Sequence, residues 1–236
     1  MTRSTTKARE PKIGRRALRT PRSAAFAGIA FSILFTIALV AVHVATPDEH
    51  GQPGGWLSDG TNRDTVLAGL AVVPFAGIAF LWFIGVVRDR IGEVEDRFFA
   101  TVFLGSGLLF VAMLFASTAV AAGMVSSVGE DAPNVLTSDV WGVGRQIVFE
   151  LMAAAMRMAA VFMIASSTIL LRTGTGPRWL TGTGYAVAVF LVVAVGYFPW
   201  IELFFPVWVL VLSLWIFFTD SIAGSGRRRA DIAGLQ

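Results

Sequence analysis

Cysteine is absent from the 236 residues. That excludes disulfides, thiolate metal sites and cysteine nucleophiles. Histidine occurs only at His43 and His50, and neither belongs to an H-E-x-x-H pair. The G-x-S-x-G nucleophile turn and the Walker phosphate loop are also missing. The glycines of Arg172–Trp179 (RTGTGPRW) make a short turn around Pro177 and nothing more. Charge is scarce, at 15% of residues, and arginine outnumbers lysine seventeen to two. With no paired carboxylates inside an apolar run, no catalytic constellation, metal site or cofactor site is expected.

Apolar residues dominate what remains. They make up 55% of the chain, and the mean hydropathy is +0.69. Six runs approach the roughly 20 residues that cross a bilayer as a helix. They are Ala24–Ala45, Thr65–Val87, Phe98–Met124, Ile147–Leu171, Leu180–Pro199 and Leu203–Thr219. A backbone in hydrocarbon must satisfy its own hydrogen bonds, so the expected fold is all-α, a polytopic six-span bundle over residues 24–223. Pro74 interrupts the second run and is expected to kink it. The hexapeptide FAGIAF occurs twice, at Phe26–Phe31 and Phe75–Phe80, without matching flanks.

Residues 1–23 form a basic tail with eight Lys/Arg against Glu10 alone, and 224–236 a second one carrying Arg227–Arg229. Both are expected to be disordered or to lie along anionic lipid. The first apolar run is too long for a typical signal-peptide core and reads as an uncleaved span. With six spans, sixteen of the nineteen Lys/Arg fall on the side of the termini, and only Arg63 and Arg145 on the other. That asymmetry places both termini in the cytoplasm and the protein in the plasma membrane. Trp56, Trp141 and Trp200 mark the outer boundary and Trp179 the inner one. The positive charge is thereby explained by topology, and no aromatics interleave the basic tail, so nucleic acid is not an expected partner. The bilayer is the expected one, with a second copy or another membrane protein as further candidates.

The fourth run holds the one unusual chemical feature. On a helical wheel, Gln146, Arg157 and Thr168 fall within a band about 40° wide around Glu150. Met152, Met156 and Met163 form a separate stripe, and alanines at 153, 154, 155, 159 and 160 leave room for close helix approach. An arginine near mid-membrane costs at least about 2.5 kcal/mol. Arg157 is therefore expected to face the bundle interior beside Glu150, as a substrate, ion or proton site or as a structural pair. His43, near the end of the first span, and Glu202, between the last two, are its candidate partners. The segment Val125–Gln146 reads as a loop, with Gly142 and Gly144 bending it into the fourth span.

Two resemblances are carried by short stretches. Gly85-x-x-x-Asp89-Arg90-x-Gly92 resembles the loop motif between the second and third spans of major facilitator transporters. It departs from that pattern at Glu93 and Val94, where the family continues with basic residues, and six spans are half that family's complement. A charge-balanced turn around Gly92 explains the stretch without the family. The region FAGIAFLWFIGVVRDRIGEVEDRFFATVFLGSGLLF and the late FPWIELFFPVWVLVLSLWIFF are similar to six-span bacterial membrane proteins associated with actinobacteria. That resemblance implies the fold and no activity. Three functional classes remain: a small transporter or channel using the fourth-span polar stripe, a non-catalytic accessory or scaffold subunit docking through aromatic spans five and six, and an intramembrane enzyme, for which the residues are missing.

Overall fold

The computed structural model describes residues 21–46, 55–91, 97–128, 139–174, 176–198 and 200–233. Among them the chain is helical throughout, with no strand. The helices are α1 (Pro21–Ala45), α2 (Gly60–Ile91), α3 (Arg97–Ser127), α4 (Asp139–Thr173), α5 (Arg178–Ala194) and α6 (Phe204–Ala233). One-turn 3₁₀ segments, Gly55–Ser58 and Ile201–Leu203, precede α2 and α6. Successive helices pack side by side, and α6 returns to lie against α1.

Among the described residues, five helices are long and apolar enough to cross a membrane. The exception is α5, whose 17 residues rise about 25 Å, short of a roughly 30 Å hydrocarbon core. The fifth span expected over Leu180–Pro199 loses its last residues to a chain reversal. Gly196 there has a φ of 90° and Trp200 a φ of 67°, values that no right-handed helix contains.

Other boundaries move for local reasons. The Asp59 carboxylate accepts the Thr61 backbone N–H at 2.9 Å, starting α2 five residues before the expected span. That helix continues unbroken through Pro74. The presumed loop before the fourth span is helical from Asp139. Its Gly144 is no hinge: a Cβ there would sit 2.7 Å from the Met124 sulfur, so the glycine lets α3 and α4 approach. At the far end α6 runs to Ala233, into the expected C-terminal tail. Of the transporter-like motif, Asp89 and Arg90 lie in the last turn of α2, while Gly92 lies outside the described residues, as does the basic stretch 1–20.

The bundle is knotted together by phenylalanine. Phe31 of α1, Phe80 of α2, Phe110 of α3, Phe162 of α4 and Phe205 of α6 are all fully buried and meet in one cluster. Ring centroids are 4.6 Å apart for Phe31–Phe80, 5.1 Å for Phe80–Phe110 and Phe80–Phe162, and 4.9 Å for Phe110–Phe205. Most of these contacts are edge-to-face or tilted, the arrangements the ring quadrupole favours. In a bilayer, whose tails are as apolar as phenylalanine, such a cluster would be held by packing rather than by escape from water.

The repeated FAGIAF segments meet here. Phe31 and Phe80, each the last residue of its copy, are in contact, while Phe26 and Phe75, each the first, are exposed. Both central glycines are close-approach points, Gly28 against Phe83 and Ser213 and Gly77 against Phe115.

Deleting the hub ring tests this packing. Phe80→Ala is expected to destabilise the protein by about 3 kcal/mol, through the cavity it leaves. Phe75→Ala, one and a half turns away on the exposed face, is expected to stay within about 0.5 kcal/mol. Thermal unfolding of both variants in one detergent reads the difference.

Candidate functional site

One end of the bundle is hollow. The end of α1, the start of α2, the end of α3, the first half of α4 and the turn before α6 enclose a cavity of about 370 Å³. Its wall is apolar, with Leu39, Leu70, Val73, Leu114, Val148 and Met152 prominent. Phe35 contributes to the cavity and stacks at 5.4 Å on Phe31 of the aromatic cluster. The cavity thus ends against the packed rings.

Polar groups reach the cavity from α1, α3, α4 and the turn before α6. Ser117 of α3 donates to the Val148 carbonyl of α4 at 3.0 Å, and Thr118 to the Leu114 carbonyl at 2.8 Å, so both hydroxyl protons are engaged. His43, Arg145 and Glu202 are the ionisable groups. Arg145 is exposed. His43 and Glu202 are more enclosed, their side chains 27% and 20% exposed.

The His43–Glu202 contact is built by an unusual backbone. Trp200 sits at φ 67°, ψ 5°, in the left-handed region, which costs a residue with a Cβ roughly 1–2 kcal/mol. The following 3₁₀ turn is anchored by buried Ile201 and by the Leu203 N–H donating to the Trp200 carbonyl at 3.1 Å. This places the Trp200 ring on the His43 imidazole, centroids 4.6 Å apart and 30° from parallel. It also brings Glu202 Oε2 to 3.9 Å from His43 Nε2.

One hydrogen bond sets the orientation of the imidazole. His43 Nδ1 lies 3.0 Å from the Leu39 carbonyl, which only accepts, so Nδ1 is the donor. In a neutral ring Nε2 then carries a lone pair. Glu202 Oε2 is buried without a hydrogen-bond partner.

The expected polar stripe on the fourth span is assembled differently. Gln146 Nε2 donates to Glu150 Oε1 at 3.1 Å, but both residues are exposed. Thr168 exchanges a hydrogen bond of 2.7 Å with the Tyr185 hydroxyl of α5. Arg157 is exposed, and no described residue forms an ion pair with it. The expectation that Arg157 is sheltered inside the bundle beside Glu150 is therefore corrected. Met156, Met163 and Phe162, together with Ala155, Ala159 and Ala160, are among the residues that α4 buries. The close-packed methionine and alanine face is nearly opposite Glu150 on the wheel, and it fits against the rings where a guanidinium does not. His43 and Glu202, expected as partners of Glu150 and Arg157, contact each other instead and share their cavity with Arg145.

Arg145 and its neighbours were missed because the segment before Ile147 reads as a loop. A signal for them exists. Trp141, Arg145, Val148, Phe149 and Met152 are spaced as one helical face, and all five line the cavity. Nothing in the sequence, by contrast, announces the left-handed Trp200.

Comparison with protein-family models, with curated proteins and with solved structures finds no significant match to this chain.

Because the chain has no cysteine, the depth of the cavity can be measured directly. Met152→Cys, on the cavity wall, is expected to react with a small water-soluble thiol reagent. Met156→Cys, one turn deeper and fully buried, is expected to stay protected until the protein is denatured.

Proposed function

We propose that this chain is a six-span plasma-membrane protein, both termini cytoplasmic, that binds a small amphipathic molecule in the cavity at its outer end. The observation that carries this reading is the cavity itself: about 370 Å³, with an apolar wall and a few convergent polar groups. That volume and lining are typical of small-molecule sites. The apolar body of the ligand lies against Leu39, Leu70, Val73 and Met152, and its polar end meets His43, Arg145 and Glu202. The charge asymmetry of the loops supports the orientation, with Arg145 at the outer end. The sixth crossing is assigned to the short α5, whose 17 residues need local thinning of the bilayer or the added turn Val195–Phe198 to span it.

Within this reading, transport is favoured over an open channel. The described residues at mid-bundle are rings in contact, which no ion or solute passes without rearrangement. A second reading, the accessory subunit, is favoured by the exposed charges on α4, which a protein neighbour covers better than lipid.

Filling the cavity tests the binding reading. Val73→Trp is expected to weaken binding of an environment-sensitive apolar fluorophore to the nanodisc-embedded protein about tenfold or more, the loss of some 1.4 kcal/mol. Val193→Trp, on an exposed face of α5, is expected to leave it unchanged. Equal binding by both variants, or none by the parent protein, overturns the proposal.

A further inference from the structure

The outward side of α4 is a regular seam. Val143, Glu150, Arg157, Ile164 and Leu171 recur every seventh residue, and all five are exposed. Ala154 and Val161, between them, are partly exposed. Steps of four and three along one face are what a single helix fills in a left-handed pair. The depth of the seam is fixed by contacts on the other side of α4. Phe162 packs on Phe103 at 4.6 Å, and Val148 accepts the Ser117 hydroxyl at 3.0 Å. Residues 148–162 of α4 therefore run alongside 103–117 of α3, the middle of the apolar Phe98–Ser127 segment. Arg157 is level with Leu108 and Leu109, which are themselves exposed. From there to Arg172, at the end of α4, is about 22 Å along the helix axis, beyond the reach of an arginine side chain. Lipid alone leaves this cation against hydrocarbon.

A second copy of the chain is no better cover. Two copies inserted the same way are related by a two-fold axis along the membrane normal, which sets Arg157 against Arg157 and Glu150 against Glu150. Those two levels are about 10 Å apart along the helix, so neither cation meets the other copy's acid. Other faces of the chain supply no counter-charge either. The apolar segments Gly60–Arg88 and Ile201–Thr219 hold acids only near one end, Asp64 and Glu202, and Ala25–Ala45 and Phe98–Ser127 hold none.

We infer that this seam docks a transmembrane helix of a different membrane protein, one that carries a carboxylate level with Arg157. The inference deepens the accessory-subunit reading and requires a membrane-spanning chain; it does not depend on ligand binding in the cavity. Arg157 is the group that selects the partner, because Glu150 already accepts the Gln146 amide at 3.1 Å, whereas no described residue pairs with Arg157. Helical side chains lean toward the N-terminus, so the guanidinium is carried toward the level of Ala154. A small residue there lets the partner backbone come close, within reach of an ion pair. A guanidinium can hold a carboxylate through two parallel N–H donors, a geometry that a neutral amide or an ammonium does not match. Val143 on one side of the charged levels, and Ile164 and Leu171 on the other, offer apolar contact to the rest of the partner helix.

The test uses the full-length protein in liposomes and synthetic probe helices of about 20 leucine and alanine residues, with Asp, Asn, Leu or Lys at the centre. Energy transfer between labelled protein and labelled probe reads their association. The parent chain is expected to bind the Asp probe about tenfold more tightly than the Asn or Leu probe. Arg157→Leu is expected to lose that preference. Arg157→Glu is expected to exchange it for a preference for the Lys probe, which a misfolded variant would not show. Equal binding of the Asp, Asn and Leu probes by the parent chain, an Asp preference that survives Arg157→Leu, or self-association of the parent chain through this seam in the absence of probe overturns the inference. Extraction of the chain from membranes by alkali would overturn it at an earlier point, in the spanning reading itself.

Discussion

Five helices are held at one cluster of phenylalanines, and the remaining architecture follows from that constraint. Phe80 is its hub, touching Phe31, Phe83, Phe110, Phe162 and Phe205, which places α1, α3, α4 and α6 around α2 at one level. Rings of this size pack against one another only if neighbouring backbones come close. Gly28 and Gly77 supply that closeness, and an added Cβ at either collides with Phe83, Ser213 or Phe115. Beyond the cluster the same helices leave a space, which is the cavity. The same packing that closes the middle of the bundle thus defines how deep a ligand at its end can reach.

The rings also decide which way α4 faces. A helix that must present Phe162 to Phe80 and Phe103, with Met156 and Met163 beside it, has no choice but to turn Glu150 and Arg157 away. The charge on α4 and the chemistry in the cavity are therefore separate features on separate faces. The cavity's ionisable groups come instead from the helix ends, His43 at the close of α1, Arg145 in the second turn of α4 and Glu202 in the turn before α6. Polar side chains at the ends of membrane helices are near water, where their cost is low. A site assembled there is less expensive than one at mid-depth.

Much of this was legible from residues alone, in a graded way. Helix content, the apolar runs and the separate methionine and charged stripes of α4 follow from periodicity and hydropathy. Which stripe turns inward does not, because a wheel separates two faces without naming their neighbours. The cost of Arg157 in lipid argues for burial within its own chain, yet α4 turns it outward. Gly142 and Gly144 give the start of α4 a loop-like composition, although Gly144 serves close packing against Met124. The Trp200 conformation was hidden for a stronger reason: a non-glycine residue in the left-handed region goes against its own preference and is held there by tertiary contacts. His43 and Glu202 were identifiable as the charged residues nearest one boundary, though not as each other's partner.

The claim that the bundle is organised by ring packing is most directly tested by a double-mutant cycle on Phe110 and Phe205, whose centroids lie 4.9 Å apart on different helices. Equilibrium unfolding of Phe110→Leu, Phe205→Leu and the double variant in mixed micelles gives the coupling energy. The account predicts non-additivity of about 0.5–1.5 kcal/mol, the worth of an aromatic pair beyond its size. Additive effects within about 0.3 kcal/mol would mean that the rings do not hold these helices together.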